Sequence, residues 1–331
     1  MPLKALAASA GFVFALLFGV VAGAEEFKIF LKTSPRLELL RPFADPVNLS
    51  LLVTHADGRP VAQGKVAIVI DAPKPGTFLS TDFPLVEGSR LLELDLPLRR
   101  GRAEWKYLFP IRGNYRLSVD FVAADGQGTI KDFPIPVLEE RQKWLWLGLF
   151  CAGLFLVGFI AGRIFTTPGP GGITTALLAL SLAVVGSVGG HDPPSPTQDV
   201  SNPQSALEID GAVVGKLTSL RWRSTDTPVV NRQLSLTITH LEKRKTMFAV
   251  DKVLVAGEFD LKFHYPDGAE YRVNAVAEAS GQAPVRAERL VAVTGVEPAL
   301  AAQIPALVFF LAVIALGLGA GRLSLRYRRS C

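Results

Sequence analysis

Gly113-Asn114-Tyr115-Arg116-Leu117-Ser118-Val119-Asp120-Phe121 is the stretch that decides the fold class of this chain. Tyr115, Leu117, Val119 and Phe121 alternate with polar residues, so one face packs against a core while the other meets water. A period of two is the mark of a half-buried β-strand. The same alternation runs through Val47, Leu49, Leu51 and Val53, through Val66, Ile68 and Ile70, and through Ala103, Trp105, Tyr107 and Phe109. It returns in Leu234, Leu236 and Ile238, in Phe259, Leu261, Phe263 and Tyr265, and in Tyr271, Val273 and Ala275. Turn formers lie between: Asp57-Gly58, Pro73 to Gly76, Asp125-Gly126 and Pro266-Asp267-Gly268. Many short strands at this spacing predict antiparallel β-sandwiches.

The alternating segments fall into two regions, 25–140 and 191–298, each followed by a long apolar run. Asn48-Leu49-Ser50-Leu51-Leu52-Val53-Thr54-His55 aligns with Gln233-Leu234-Ser235-Leu236-Thr237-Ile238-Thr239-His240. The stretch 113–121 aligns with Gly257-Glu258-Phe259-Asp260-Leu261-Lys262-Phe263-His264-Tyr265. Gly158 to Gly162-Arg163 corresponds to Gly317 to Gly321-Arg322. Matches in the same order predict a duplicated unit of one sandwich plus one membrane helix. The run Asp57-Gly58-Arg59-Pro60-Val61 with Gly64-Lys65-Val66, and the Gly-x-Tyr-x-Leu-x-Val strand at 113–119, resemble bacterial immunoglobulin-like domains of exported proteins. That resemblance implies a membrane-anchored all-β chain with two immunoglobulin-like β-sandwiches and an adhesive, scaffolding or ligand-presenting habit. The antibody pattern of two cysteines around a tryptophan is absent.

Residues 1–24 have the parts of a cleavable secretory signal: Lys4, an apolar core and Ala22-Gly23-Ala24. Residues 144–165 and 300–321 are each long enough to cross the ~30 Å hydrocarbon core. The run 172–190 is shorter and rich in Gly, Ser and Thr. With a cleaved signal, region 25–140 lies outside and the first span runs inward. A middle span then returns the chain outside, and the last delivers Arg322, Arg326, Arg328 and Arg329 to the cytoplasm in the basic tail 322–331. Without that middle span the four arginines would lie outside, against the positive-inside tendency. Three transmembrane helices are therefore predicted, with the bulk of the chain on the outer side of a bacterial inner membrane. Arg163 marks the inner end of the first span, while Trp144 and Trp146 fit the interfacial aromatic belt. Gly158/Gly162 and Gly317/Gly321 have the small-xxx-small spacing that lets helices approach closely, within the chain or in an oligomer.

Candidate chemistry is sparse. His55 and His240 end aligned strands and are the only paired candidates for a metal, with one ligand per half. His264 alternates out of phase with Phe263 and Tyr265, which places it on the solvent face, and His191 opens a Pro-rich linker. Lys243-Arg244-Lys245 reads as an exposed hairpin tip. No G-x-S-x-G, H-E-x-x-H or Walker loop is present. Cys151 and Cys331 supply neither a disulfide framework nor a cysteine zinc site.

The chain carries 35 Lys+Arg against 30 Asp+Glu, a net +5, with a mean hydropathy of +0.31. Lys4 leaves with the signal and four arginines stand in the last ten residues, so residues 25–321 sum to zero. The positive charge marks topology and gives no footprint for nucleic acid. The sequence therefore predicts a non-catalytic binding, scaffold or assembly subunit of an envelope complex, without a cofactor, embedded in the lipid bilayer. The alternatives are a metal-handling or biogenesis factor built on His55 and His240, and a membrane-bound enzyme with an unrecognised site.

Overall fold

The computed structural model describes residues 27–76, 80–164, 199–201, 205–224, 231–296 and 300–330. The signal expected at 1–24, the apolar run 172–190 and His191 lie outside the described residues.

The alternating stretches form strands, as their period requires. In the first half these are β1 (Lys28–Ser34), β2 (Val47–Thr54), β3 (Gly64–Asp71), β4 (Arg90–Pro97), β5 (Arg102–Tyr107), β6 (Gly113–Ala123) and β7 (Gly128–Val137), followed by helix α1 (Arg141–Ile164). The second half has β8 (Asp199–Ser201), β9 (Ser205–Ile209), β10 (Leu217–Ser224), β11 (Asn231–His240), β12 (Lys245–Ala256), β13 (Glu258–His264), β14 (Glu270–Glu278) and β15 (Val285–Ala292). Helix α2 (Leu300–Ser330) follows. All strand pairings between named strands are antiparallel.

The two halves do not stand apart as separate sandwiches. Their strands join into an eight-stranded sheet, β1-β2-β5-β12-β11-β14-β15-β8, and a seven-stranded one, β7-β6-β3-β4-β13-β10-β9. The first half places β1-β2-β5 in one sheet and β7-β6-β3-β4 in the other; the second, counted from β9 with β8 as an added edge strand, repeats this with β9-β10-β13 and β15-β14-β11-β12, the sheets exchanged. The halves meet twice, reciprocally. The fifth strand of the first pairs with the fourth of the second, Tyr107 opposite Phe248, and the fourth of the first pairs with the fifth of the second, Leu94 opposite Leu261. This is the exchange of a twofold-related pair, and one hydrophobic core runs through both halves. Lys262 and Glu93 add an ion pair of 2.7 Å across the second seam, a half-exposed contact worth at most about 1 kcal/mol.

This topology corrects the sequence alignment of the halves. The strand at 48–55 is the second of its half and the strand at 233–240 the third; 113–121 is the sixth and 257–265 the fifth. Strands of one amphipathic period resemble each other whatever their place. Topology instead pairs β5 with β13 and β6 with β14, and residues 101–115 then align with 257–271 without a gap. Gly101 and Gly257 both have positive φ, Pro110 matches Pro266, and Tyr115 matches Tyr271.

The two tyrosines do the same work. Each stands on the sixth strand of its half and turns its hydroxyl back four residues. Tyr115 donates to Ile111 O at 2.7 Å and accepts from Ile111 N at 2.9 Å, while Tyr271 donates to Asp267 Oδ1. Both rings are buried. Tyr115→Phe leaves two buried backbone groups unpaired, so it is expected to cost about 1–3 kcal/mol in chemical denaturation of the detergent-solubilised protein.

Two helices long and apolar enough to cross a membrane follow the halves. Three were expected; the third candidate falls outside the described residues. On α1, Leu145, Leu149 and Leu156 are exposed, and nothing among the described residues covers them.

Candidate functional site

The seam and the helix starts converge on one end of the body. Val47, Tyr107, Phe248 and Ile238 lie in one row across the eight-stranded sheet. His240 lies beyond that row on the side where β5 ends; the chain then crosses to β6, whose first residue Gly113 pairs with Val137 at the end of β7, just before α1. His240 therefore shares the helix-proximal end with the start of α1. His55 follows Thr54 at the opposite end of β2, about 30 Å from His240 along the strand direction at ~3.3 Å per residue. The structure does not bring the two candidate metal ligands together. His55 packs its ring 5.5 Å from that of Phe27.

His240 is fully buried. Its Nδ1 accepts the Lys243 backbone N–H at 3.3 Å, so the proton of the neutral ring sits on Nε2, which donates to Asp267 Oδ2 at 3.2 Å. Lys243 Nζ donates to the same oxygen at 2.8 Å, and Tyr271 to the other. Burial opposes the charge of Asp267, but the hydrogen bonds from His240, Lys243 and Tyr271 outweigh it and hold its carboxyl well below the usual carboxylate range. Burial, and then the charge of Asp267, push the Tyr271 phenol well above its ordinary value.

From the first half, Phe43 closes the cluster. The Lys243 ammonium lies 4.0 Å from the Phe43 ring centre and 4.9 Å from that of Phe83, and these two rings stack at 5.2 Å. Lys245 Nζ donates to Phe43 O at 2.6 Å and Ala44 O at 2.8 Å. The basic hairpin tip 243–245 is thus largely committed: two of its three cations tie the second half to the first. Sequence reading took Pro266-Asp267-Gly268 only as a turn and missed Asp267 as the hub. The gap-free alignment of 101–115 with 257–271 was the available signal, since it sets Asp267 where the first half uses the backbone of Ile111. With His240, Lys243 and Tyr271 all donating to Asp267, and Phe43 beneath the Lys243 ammonium, this cluster latches the halves.

His264 corrects a sequence expectation. It is buried, neither ring nitrogen is hydrogen-bonded to another of the described residues, and desolvation, against a smaller opposing contribution from its own backbone, lowers its pKa from 6.5 to about 4. Strand alternation fails here because β13 ends under cover on both faces: the neighbouring strand β4 likewise buries the consecutive Leu91 and Leu92. The equivalent position in the first half is Leu108, also buried. Among the described residues no group of three or more His, Cys, Asp or Glu could hold a metal ion.

The glycines stand in one helix seam. A Cβ built on Gly158 or Gly162 would fall within 3.0 Å of the Ile314 or Leu318 carbonyl oxygen; on Gly317 or Gly321, within 3.0 Å of the Phe155 or Phe159 oxygen. Gly148, Gly153 and Gly319 have open space instead. Since Phe150 meets Phe310 at one end and Arg163 Nε donates to Ser324 Oγ at 3.1 Å at the other, the two helices run parallel. Arg163 also lies 5.0 Å from the Phe159 ring centre. Arg322 is exposed on α2, the helix that contains Arg326, Arg328 and Arg329. Cys151 is partly buried on α1.

The outer face of the eight-stranded sheet carries an open groove of about 800 Å³ that crosses the seam. Its walls include Phe30, Lys32, Arg102, Lys106, Thr237 and Asp251. Glu104 and Asp251 each accept from a serine, Ser50 at 3.2 Å and Ser235 at 2.6 Å.

No family model and no curated protein matches this chain. Among solved structures it is similar to dimeric latent PorU from Porphyromonas gingivalis, at 10% identity over 83% of this chain and 25% of that one, TM-score 0.28. It is similar to trypsin-activated alpha-2-macroglobulin from Escherichia coli, at 13% identity over 81% and 15%, TM-score 0.22. A third is the Yersinia pseudotuberculosis adhesin InvE, at 12% identity over 80% and 60%, TM-score 0.22. The chain spans a quarter or less of the first two proteins, and at these TM-scores the likeness assigns neither fold nor function.

Proposed function

We propose that this is a bacterial inner-membrane protein that holds two fused immunoglobulin-like half-sandwiches outside the cytoplasm and works as a non-catalytic binding or assembly subunit of an envelope complex. The observation that carries this reading is the pair of parallel apolar helices, packed through glycines, that leave the same end of one β body. Parallel helices from one body cross in the same sense, which agrees with both halves lying on one side. The chain must then recross between Ile164 and Asp199, and the run 172–190 is the segment for it, a third span. The immunoglobulin-like assignment of each half draws support from the buried tyrosine turned back at the sixth strand, a corner that such folds use.

A rigid joint between the halves fixes their relative position, which favours a partner contacting both; the groove crossing the seam is the surface such a partner would use. Lys106 on β5 and Thr237 on β11 lie on opposite sides of the seam strand β12. A photo-cross-linker at Lys106 in the native membrane is expected to capture a discrete protein that Arg102→Glu plus Lys106→Glu no longer co-purifies in mild detergent. A partnerless protein in both experiments would overturn the assembly reading. The metal-handling alternative has no observation in its favour, because its two histidines lie at opposite ends of the sheet.

A further inference from the structure

Apolar side chains are exposed around the starts of both helices. The short 3₁₀ turn Leu37–Leu39 leaves Leu39 62% exposed, and Leu138, three residues before α1, is 51% exposed. The two segments are joined there, for Leu138 N donates to Leu40 O at 3.2 Å. Arg41 fixes the turn by donating to the carbonyls of Glu38 and Leu40 at 3.0 and 2.8 Å, and Arg36 stands exposed at its other end. Val296, just before the start of α2, is 46% exposed.

The body is pulled down onto the first turn of α1. The Arg112 guanidinium lies 5.4 Å from the Trp144 ring centre and is tied to Glu139 at 3.0 Å. Lys143 bonds Asp82, from the loop before β4, at 2.6 Å. A tryptophan at the start of a span sits at headgroup level, so Arg112 and Asp82 reach that level too. Three extended residues put Leu138 within about 10 Å of the start of α1, comparable with a headgroup layer roughly 5–8 Å deep on each side of the hydrocarbon.

We propose that the turn Arg36–Arg41, with Leu39 and Leu138, is a lipid-contacting lip that seats the β body directly on the outer leaflet, its leucines in the headgroup layer and Arg36 at the phosphates. The proposal rests on the membrane reading above and goes beyond it: the helices anchor the protein, and the lip fixes how the body stands. An isolated leucine exposed to water needs no explanation, but two on backbone-bonded segments beside a helix start, flanked by arginine, form the amphipathic arrangement that interfacial segments use. Seated this way, the end of the body bearing His55 and Asp57 points away from the membrane.

The test uses the full-length protein with Cys151→Ser and Cys331→Ser, reconstituted into vesicles of phosphatidylethanolamine and phosphatidylglycerol. Single cysteines at Leu39, Leu138, Asp57 and Leu149 carry an environment-sensitive fluorophore, and doxyl quenchers are placed on lipids near the headgroup or deep in the chain. The shallow quencher is expected to act severalfold more strongly on Leu39→Cys and Leu138→Cys than on Asp57→Cys, and the deep quencher on Leu149→Cys. If Leu149→Cys is quenched from depth while Leu39→Cys and Leu138→Cys behave like Asp57→Cys, the lip is wrong and the span stands. If Leu149→Cys is not quenched, the membrane reading fails and the lip with it.

Discussion

Gly162→Leu is expected to drive α1 and α2 apart, whereas Gly319→Leu, only two residues from the seam glycine Gly317, is expected to leave them together. At Gly162 even a methyl group would meet the Leu318 carbonyl oxygen and α-carbon, which are backbone atoms and cannot turn aside. The same holds at Gly158 against Ile314, at Gly317 against Phe155 and at Gly321 against Phe159. In lipid, helices associate through close packing because burial from water supplies no drive there, so separation of the backbones removes the attraction itself. Overpacking of a well-fitted contact costs about 1–3 kcal/mol, and about 1.4 kcal/mol is tenfold in an equilibrium. The readout is cross-linking between Phe150→Cys and Phe310→Cys, whose native rings lie 5.4 Å apart, in the Cys151→Ser, Cys331→Ser background. Yield should fall about tenfold with Gly162→Leu and further with Gly321→Leu added. Gly148→Leu, Gly153→Leu and Gly319→Leu are the controls that should retain it. Equal yields for Gly162→Leu and Gly319→Leu would sink the glycine seam.

The strands and the two apolar helices were legible because each is written in a local period. Tyr115, Leu117, Val119 and Phe121 are buried as their alternation requires, and so are Phe259, Leu261 and Phe263. How the halves join was not legible in the same way. β5 and β12 meet through only a few main-chain pairs, and main-chain pairing leaves no side-chain signature that marks one edge for another. The alignment of the halves went astray for a related reason: alternating strands match each other in any order, and only the fixed spacing of Gly101, Pro110 and Tyr115, repeated at Gly257, Pro266 and Tyr271, singles out the true equivalents. The latch at Asp267 combines Tyr271 and Asp267 from one turn with His240 and Lys243 from another hairpin and Phe43 from the other half. His240 and Lys243 meet Asp267 and Tyr271 only when β11 pairs with β14, and Phe43 joins them only when the halves fuse, so no spacing along the chain announces the latch. His264 shows the limit of alternation itself, which assigns a face to a residue and cannot tell when that face is covered.

Covering His264 gives the protein a defined acid sensitivity. An exposed histidine titrates near 6.5, but desolvation lowers the folded value to about 4, outweighing the hydrogen bond to the residue's own backbone that favours the charged ring. Between those two values the unfolded chain binds a proton that the folded chain refuses, so acidification favours unfolding. This contribution is fully present above about pH 6.5 and is lost progressively as the pH falls to about 4. At about 1.4 kcal/mol per unit the full loss amounts to about 3 kcal/mol. Asp267 acts in a lower window. Its folded carboxyl lies below the ordinary value of 3.8, so the stability it adds is present above that value and falls away only as the pH drops beneath it. The two titrations are therefore separable. His264→Leu places in the second half the residue that the first half already has at Leu108, and it removes a buried polar ring. Denaturant midpoints of the detergent-solubilised protein, measured from pH 8 down to about pH 2, should slope downward below pH 6.5 in the wild type. In His264→Leu they should stay flatter across that range, with equal or greater stability at pH 8, while the decline below pH 4 persists in both. Parallel slopes between pH 6.5 and 4 would mean that solvent reaches His264 and that the β13 terminus is not sealed.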